Sequence, residues 1–100
     1  MIFLFFEQNK DLSDVSEFFS LFSDPTRLKI IICLKESEQS VSELSKNLGI
    51  SQSAVSHQLR ILRQGRVVRY RKVGKKVLYS LDDEHVVRII DQAIEHQRHG

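Results

Sequence analysis

Cysteine is almost missing from this chain of 100 residues: Cys33 stands alone. One thiol excludes an internal disulfide framework and any zinc site of the multi-cysteine kind. Glycine occurs four times and proline once, and no repeat, low-complexity tract or linker interrupts the sequence. Residues 1–100 therefore read as a single domain, too small for two independent cores, which argues against a two-domain enzyme. Long apolar runs are lacking too. The opening stretch Met1–Phe6 is apolar but only six residues long, without a basic leader or a small-residue cleavage site. It reads as neither a secretory signal nor a membrane span, and the expectation for it is added helix or interface packing. A cytoplasmic chain without a membrane partner follows. Hydrophobic residues at 41% and charged residues at 28% match ordinary globular usage and exclude disorder and a membrane bundle.

The net charge of +2 conceals an uneven distribution. Residues 51–81 hold Arg60, Arg63, Arg66, Arg69, Arg71, Lys72, Lys75 and Lys76 and no acidic residue, a local charge of +8, against −6 for the rest. Such an asymmetry marks a surface that meets polyanion, with a solvated basic face as the plainer alternative.

Periodicity predicts mainly α structure with a small β-hairpin. Val15, Phe18, Phe19 and Phe22 form one helical stripe within residues 11–22, to be buried in the core or in a subunit interface. Asp24-Pro25 opens a second helix that runs to about Lys35 and places Cys33 among apolar neighbours, as a small hydrophobe rather than a reactive thiol. Ser40 with Glu43 is a capping box for a third helix that Gly49 stops. Ser51 caps a fourth, with Val55, Leu59 and Leu62 inward, and Gly65 ends it. Two short helices about a Gly-Ile-Ser turn predict a helix-turn-helix. Val68–Arg71 and Lys76–Leu81 then alternate as strands around a turn bearing Gly74, a basic wing, and Asp82 or Asp83 caps a last helix to about His99.

A helix presented in this way fits the major groove of double-stranded DNA. Gln52 can pair bidentately with adenine, Ser53 and Ser56 can reach bases or phosphates, and Arg60 and Arg63 can neutralise the backbone. His57 suits either a DNA contact or plain helix surface. Arg69, Arg71, Lys72, Lys75 and Lys76 of the wing are expected at phosphates or the minor groove. The run Asp24-Pro25-Thr26-Arg27-Leu28-Lys29-Ile30, the run Ser51-Gln52-Ser53-Ala54-Val55-Ser56-His57-Gln58-Leu59, the basic wing and Tyr79-Ser80-Leu81 resemble the ArsR/SmtB family of metal-sensing repressors. The resemblance covers about residues 13 to 99. It implies a winged helix-turn-helix of five helices, a homodimer through the first and last helices, and operator binding that metal weakens.

Three of the four histidines fall in the last helix, as Asp83-x-His85 and His96-x-x-His99. His85 and His96 share a face yet lie about 17 Å apart along the axis, so no ion bridges them within one chain. Two such helices antiparallel across a two-fold axis bring Asp83 and His85 of one subunit against His96 and His99 of the other, closing two four-ligand sites. Taken singly, each residue is better explained as a cap or a helix-terminal charge; the four together point to metal. Three imidazoles and a carboxylate suit Zn(II), with Co(II) as a substitute. The resemblance implies the same final-helix site. The family's thiolate site has no counterpart, since residues 41–48 lack cysteine, which argues against Cd(II), Pb(II), Cu(I) and arsenite. Nickel sensors of the family recruit groups from extended termini, whereas here the N-terminus offers no histidine and the chain ends at Gly100.

The expectation is a zinc-responsive repressor whose apo-dimer binds a palindromic operator, not an enzyme, and without a small-molecule substrate. The nearest rival senses another transition metal or a thiol oxidant at Cys33. A small zinc hydrolase is disfavoured, because four protein ligands leave no open position for water and no general base stands out beyond Glu84 and Glu95. A winged helix serving protein contacts alone is at odds with the acid-free basic segment.

Overall fold

The computed structural model describes residues 9–99, with side chains from Leu12 onward; the expectation for Met1–Phe6 lies outside the described residues. Helix α1 (Asn9–Ser20) leads into α2 (Pro25–Glu36), α3 (Val41–Leu48) and α4 (Gln52–Gln64), followed by strands β1 (Val68–Val73) and β2 (Lys76–Leu81) and by helix α5 (Glu84–His99). The helix starts form where local chemistry satisfies the free N–H groups of a first turn. The Asp24 carboxylate accepts from Arg27 N at 3.0 Å ahead of Pro25. At α3 the Ser40 hydroxyl accepts from Glu43 N while the Glu43 carboxylate accepts from Ser40 N, the reciprocal pair that the sequence predicts. Gly49 then takes the left-handed conformation, φ 68°, and the chain turns through Ile50 into the Ser51 cap of α4.

One core joins the elements. Ile30, Ile31 and Leu34 of α2 meet Leu44 of α3, and Val55, Leu59 and Leu62 of α4. Val67, Val68 and Leu81 carry that core into the base of the wing, and Val86 and Ile90 seat α5 on it. β1 and β2 pair antiparallel from Val68 opposite Leu81 to Val73 opposite Lys76, closed by Gly74 at φ 63° in a two-residue turn. Only the base of β1 is buried, so the wing projects beyond the core.

Gln39, a buried polar residue, holds the wing to the helices. Its backbone exchanges both hydrogen bonds with Tyr79, at 3.0 and 2.7 Å, adding a one-residue third strand to the hairpin. Its side chain donates to the Cys33 carbonyl at 3.0 Å and accepts from Asn47 at 2.8 Å, so no buried amide group is left unpaired.

One local expectation is corrected. The α1 helix ends at Ser20, and Leu21 and Phe22 lie in tight turns bonded back to Phe18 and Phe19. Phe18 and Phe22 lean on the core, whereas Leu12, Val15 and Phe19 stay exposed, Phe19 at 56%. Gly65 follows α4 as expected, but its φ is −85°; the left-handed residue is Arg66, at φ 60°. Glycine at 65 also serves close approach, because a Cβ there would collide with the Leu21 side chain.

Candidate DNA interface and metal half-sites

Helix α4 buries Val55, Leu59 and Leu62 and leaves Gln52, Ser53, His57, Arg60 and Arg63 exposed, with Ser56 half-buried at the flank. The turn before it is held by the Ser45 hydroxyl, which donates to the Ile50 carbonyl, and its start by the Ser51 hydroxyl, which accepts from Ala54 N at 3.1 Å. Arg27 braces its middle: Nε donates to the Leu21 carbonyl at 3.0 Å and Nη1 lies 3.4 Å from Gln58 Oε1. The outward residues form one polar, cationic face without a carboxylate, the chemistry that reading a groove edge and its phosphates requires.

In the wing Arg69, Arg71, Lys72, Lys75 and Lys76 are all exposed. Two contacts that sequence patterns did not reveal fix its geometry. The Arg63 guanidinium lies 4.3 Å from the centre of the Tyr70 ring, and Tyr70 packs on Tyr79 with ring centres 5.7 Å apart. The end of α4 and the wing are thereby stacked together. On the other side Arg71 donates from Nε and Nη2 to the two carboxylate oxygens of Glu38, at 2.7 and 2.8 Å. Those bonds from Arg71 hold the Glu38 carboxyl below its ordinary pKa.

Asp83 does two things at the start of α5. Its Oδ1 accepts from the backbone N–H groups of His85 and Val86, at 2.9 and 3.1 Å, an ordinary N-cap. Its Oδ2 stands 3.4 Å from His85 Nδ1. The Asp83 carboxyl is held below its ordinary pKa chiefly by the Val86 N–H, with His85 adding to the effect. His96 and His99 are exposed near the other end of α5, where His99 Nε2 is 3.9 Å from Glu95 Oε1. The chain thus brings Asp83 and His85 together and leaves His96 and His99 apart from them. Among the described residues no three His, Cys, Asp or Glu side chains of one chain converge. Asp91, midway along α5, pairs with Lys35 of α2 at 3.0 Å.

Cys33 is half-buried on α2, and burial pushes its thiol pKa up. That is the reverse of the lowered pKa that makes a thiol a good redox sensor. No helix among the described residues is long and apolar enough to cross a membrane.

Residues 24–70 match the family described as bacterial regulatory protein, arsR family. A transcriptional repressor SmtB homolog from Synechocystis is 46% identical over 82 residues, which is 82% of this chain and 62% of that protein. The chain therefore spans less than two-thirds of that relative's length. A cadmium resistance transcriptional regulatory protein CadC homolog from Staphylococcus aureus is 43% identical, covering 85% of this chain and 71% of the relative. Among solved structures, the homodimeric winged helix-turn-helix DNA-binding domain of a possible ArsR-family transcriptional regulator from Mycobacterium bovis superimposes with a TM-score of 0.84. It is 25% identical, with 93% of this chain and 90% of that chain covered.

Proposed function

The chain belongs to the ArsR family of bacterial regulatory proteins, and from that premise we propose that it is a homodimeric repressor that binds operator DNA without metal and releases it on binding Zn(II). The observation that carries the metal half of this reading is the 3.4 Å separation of Asp83 Oδ2 and His85 Nδ1. Two ligands at about 2.0–2.1 Å from a tetrahedral zinc stand about 3.3–3.4 Å apart, so this pair already has the length of one tetrahedral edge. Oδ1 keeps the cap meanwhile, and ligation does not unwind the helix.

His96 and His99 of the partner helix would supply the other two ligands if the last helices pack antiparallel about a two-fold axis. Two zinc ions per dimer follow. Apolar groups suited to such a contact are present on both interface candidates: Leu12, Val15 and Phe19 on α1 and Ala93 on α5 are exposed in the single chain. The name of the cadmium resistance relative does not carry cadmium over, because α3 here offers no thiolate.

On the DNA side, Gln52, Ser53, Ser56 and His57 would lie in the major groove, with Arg60 and Arg63 at its phosphates and Arg69, Lys72, Lys75 and Lys76 of the wing beside them. Metal and DNA occupy different elements, so they compete through shape. A dimer reading successive major grooves must hold its α4 helices about 34–36 Å apart, and a zinc clamp across the α5 helices fixes a separation that no longer fits. The Lys35–Asp91 pair and the buried Val86 and Ile90 carry a shift of α5 into the helical core. About 1–3 kcal/mol of coupling per zinc suffices to lower affinity by orders of magnitude.

The test is a zinc titration of the protein on fluorescent duplexes containing inverted repeats selected from random sequence by the metal-free dimer. Anisotropy should fall to the free-DNA value as two zinc ions bind per dimer. A zinc-loaded dimer that holds the same duplexes as tightly as the apo form would refute the switch.

A further inference from the structure

Five cations decorate the wing, but they are not equivalent. Among the described residues Arg71 is the one wing cation hydrogen-bonded to a carboxylate, and that partner consumes a whole edge of its guanidinium. The register sets the face on which the two meet. Arg71 stands opposite Leu78, and Arg69 opposite Ser80, on one face of the hairpin. The bridge between Gln39 and Tyr79 lays the α2–α3 connection along the outer edge of β2, which puts Glu38 next to Ser80 and on that same face. Glu38 is mostly covered, its side chain 29% exposed, whereas the Arg71 side chain is 65% exposed.

We infer that Arg71 is a positioning residue: it neutralises Glu38 and ties the wing to the turn ahead of the helix-turn-helix, leaving Arg69, Lys72, Lys75 and Lys76 as the wing's contacts with DNA. This inference rests on the DNA-binding reading above and refines its list of contacts. Glu38 holds the Nε and Nη2 edge, so a phosphate could take that edge only by leaving the Glu38 carboxylate bare beside a polyanion, and at the remaining Nη1 side it would meet a guanidinium whose charge Glu38 already offsets. One anion would replace another on the guanidinium, with no gain in neutralisation. Arg63 differs, because stacking on Tyr70 leaves its N–H groups free for phosphate. With the pair intact, the wing is held on one side by Arg63 and Tyr70 and on the other by Glu38 and Arg71.

A charge swap tests this, because it keeps the total charge and moves only where each sign sits. Binding of a fluorescent mixed-sequence 30-base-pair duplex would be followed at several salt concentrations for the unmodified protein, R71E, the double variant E38R/R71E and K76Q. R71E should weaken binding about tenfold or more, since two like carboxylates then face each other beside the DNA. The swapped pair should restore binding to within about threefold, while K76Q should flatten the salt slope by about 0.9. A swap that remains as weak as R71E would place position 71 against phosphate and overturn the inference. The unmodified protein gives a second readout that does not depend on a variant folding. The Arg71 Nε–H resonance should keep its shift and slow exchange when the duplex is added, and movement with saturation of the DNA would contradict the tie. Failure of the unmodified protein to bind any duplex would instead overturn the DNA reading, and this refinement with it.

Discussion

Replacing Gln39 by methionine should destabilise the protein while leaving its DNA face largely in place. The amide is buried, 7% exposed, and makes two short side-chain hydrogen bonds, to the Cys33 carbonyl at 3.0 Å and from Asn47 at 2.8 Å, beside a long one to the exposed Ser37 hydroxyl at 3.5 Å. Methionine keeps the volume but removes both. A hydrogen bond of this kind contributes about 0.5–1.5 kcal/mol net, so the loss is about 1–3 kcal/mol. It stays within that range because neither abandoned partner is fully orphaned. The Cys33 carbonyl still accepts from Ser37 N at 3.3 Å, and Asn47 is exposed enough to turn to water. The two backbone bonds to Tyr79 do not involve the side chain and persist. For a domain of this size Tm should fall by about 5–15 °C, measured metal-free and at one fixed concentration because subunit association and metal both shift it. Duplex affinity at a temperature where the variant is folded should remain within about threefold. A variant as stable as the unmodified protein would show that the Gln39 amide is not a structural tie, and a folded variant that no longer binds DNA would show that the wing depends on it directly.

Asp83→Asn should preserve the α5 cap, since an amide oxygen can accept from His85 and Val86 N–H as the carboxylate does, and weaken zinc binding; Asp83→Ala should lose the zinc affinity and about 1 kcal/mol of stability besides, and calorimetry with zinc and urea unfolding separate the two. Glu38 and Glu43 both have folded-state pKa values lowered, by Arg71 and by the Ser40 N–H, so the stability they contribute is present above about pH 4.3 and lost as pH falls through the lowered values. E38Q/E43Q should therefore show a shallower fall in urea midpoint between pH 5 and pH 2 than the unmodified protein, and parallel curves would contradict this. Changing Ser56 to alanine should alter which duplex sequences are preferred, whereas Lys75→Gln should weaken all duplexes alike; equal loss of preference from both would refute the division of labour.

The elements were legible in the sequence because most of their signals are local. The Asp24-Pro25 start, the Ser40/Glu43 box and the Gly49 stop act within one turn of chain, and each appears where the pattern puts it. The stripe places the α1 end too late, because Phe22 keeps its helical spacing while its backbone has already turned. Gly65 caps α4 where the pattern puts it, but its smallness also answers to Leu21, a neighbour that no local pattern reveals. The same holds for the site. Outward residues of α4 and the basic wing follow from periodicity and charge, yet Glu38 and Arg71 are 33 positions apart and meet only through the bridge at Gln39. The closeness of Asp83 and His85 is local and readable; their proposed closure into a metal site with His96 and His99 depends on a second subunit.

That closure across subunits is the centre of the account, and a mixing experiment reaches it directly. His85→Ala and His96→Ala proteins would each be assayed for tight zinc binding alone and after unfolding and refolding together in equal amounts. Each variant alone should lack intact sites, because in a trans arrangement every site of the dimer loses one ligand. In the mixed dimer both losses fall on one site and the other is complete, so random pairing should restore about 0.25 tight zinc per chain. A mixture that binds no more zinc than the separate variants would contradict sites shared between subunits.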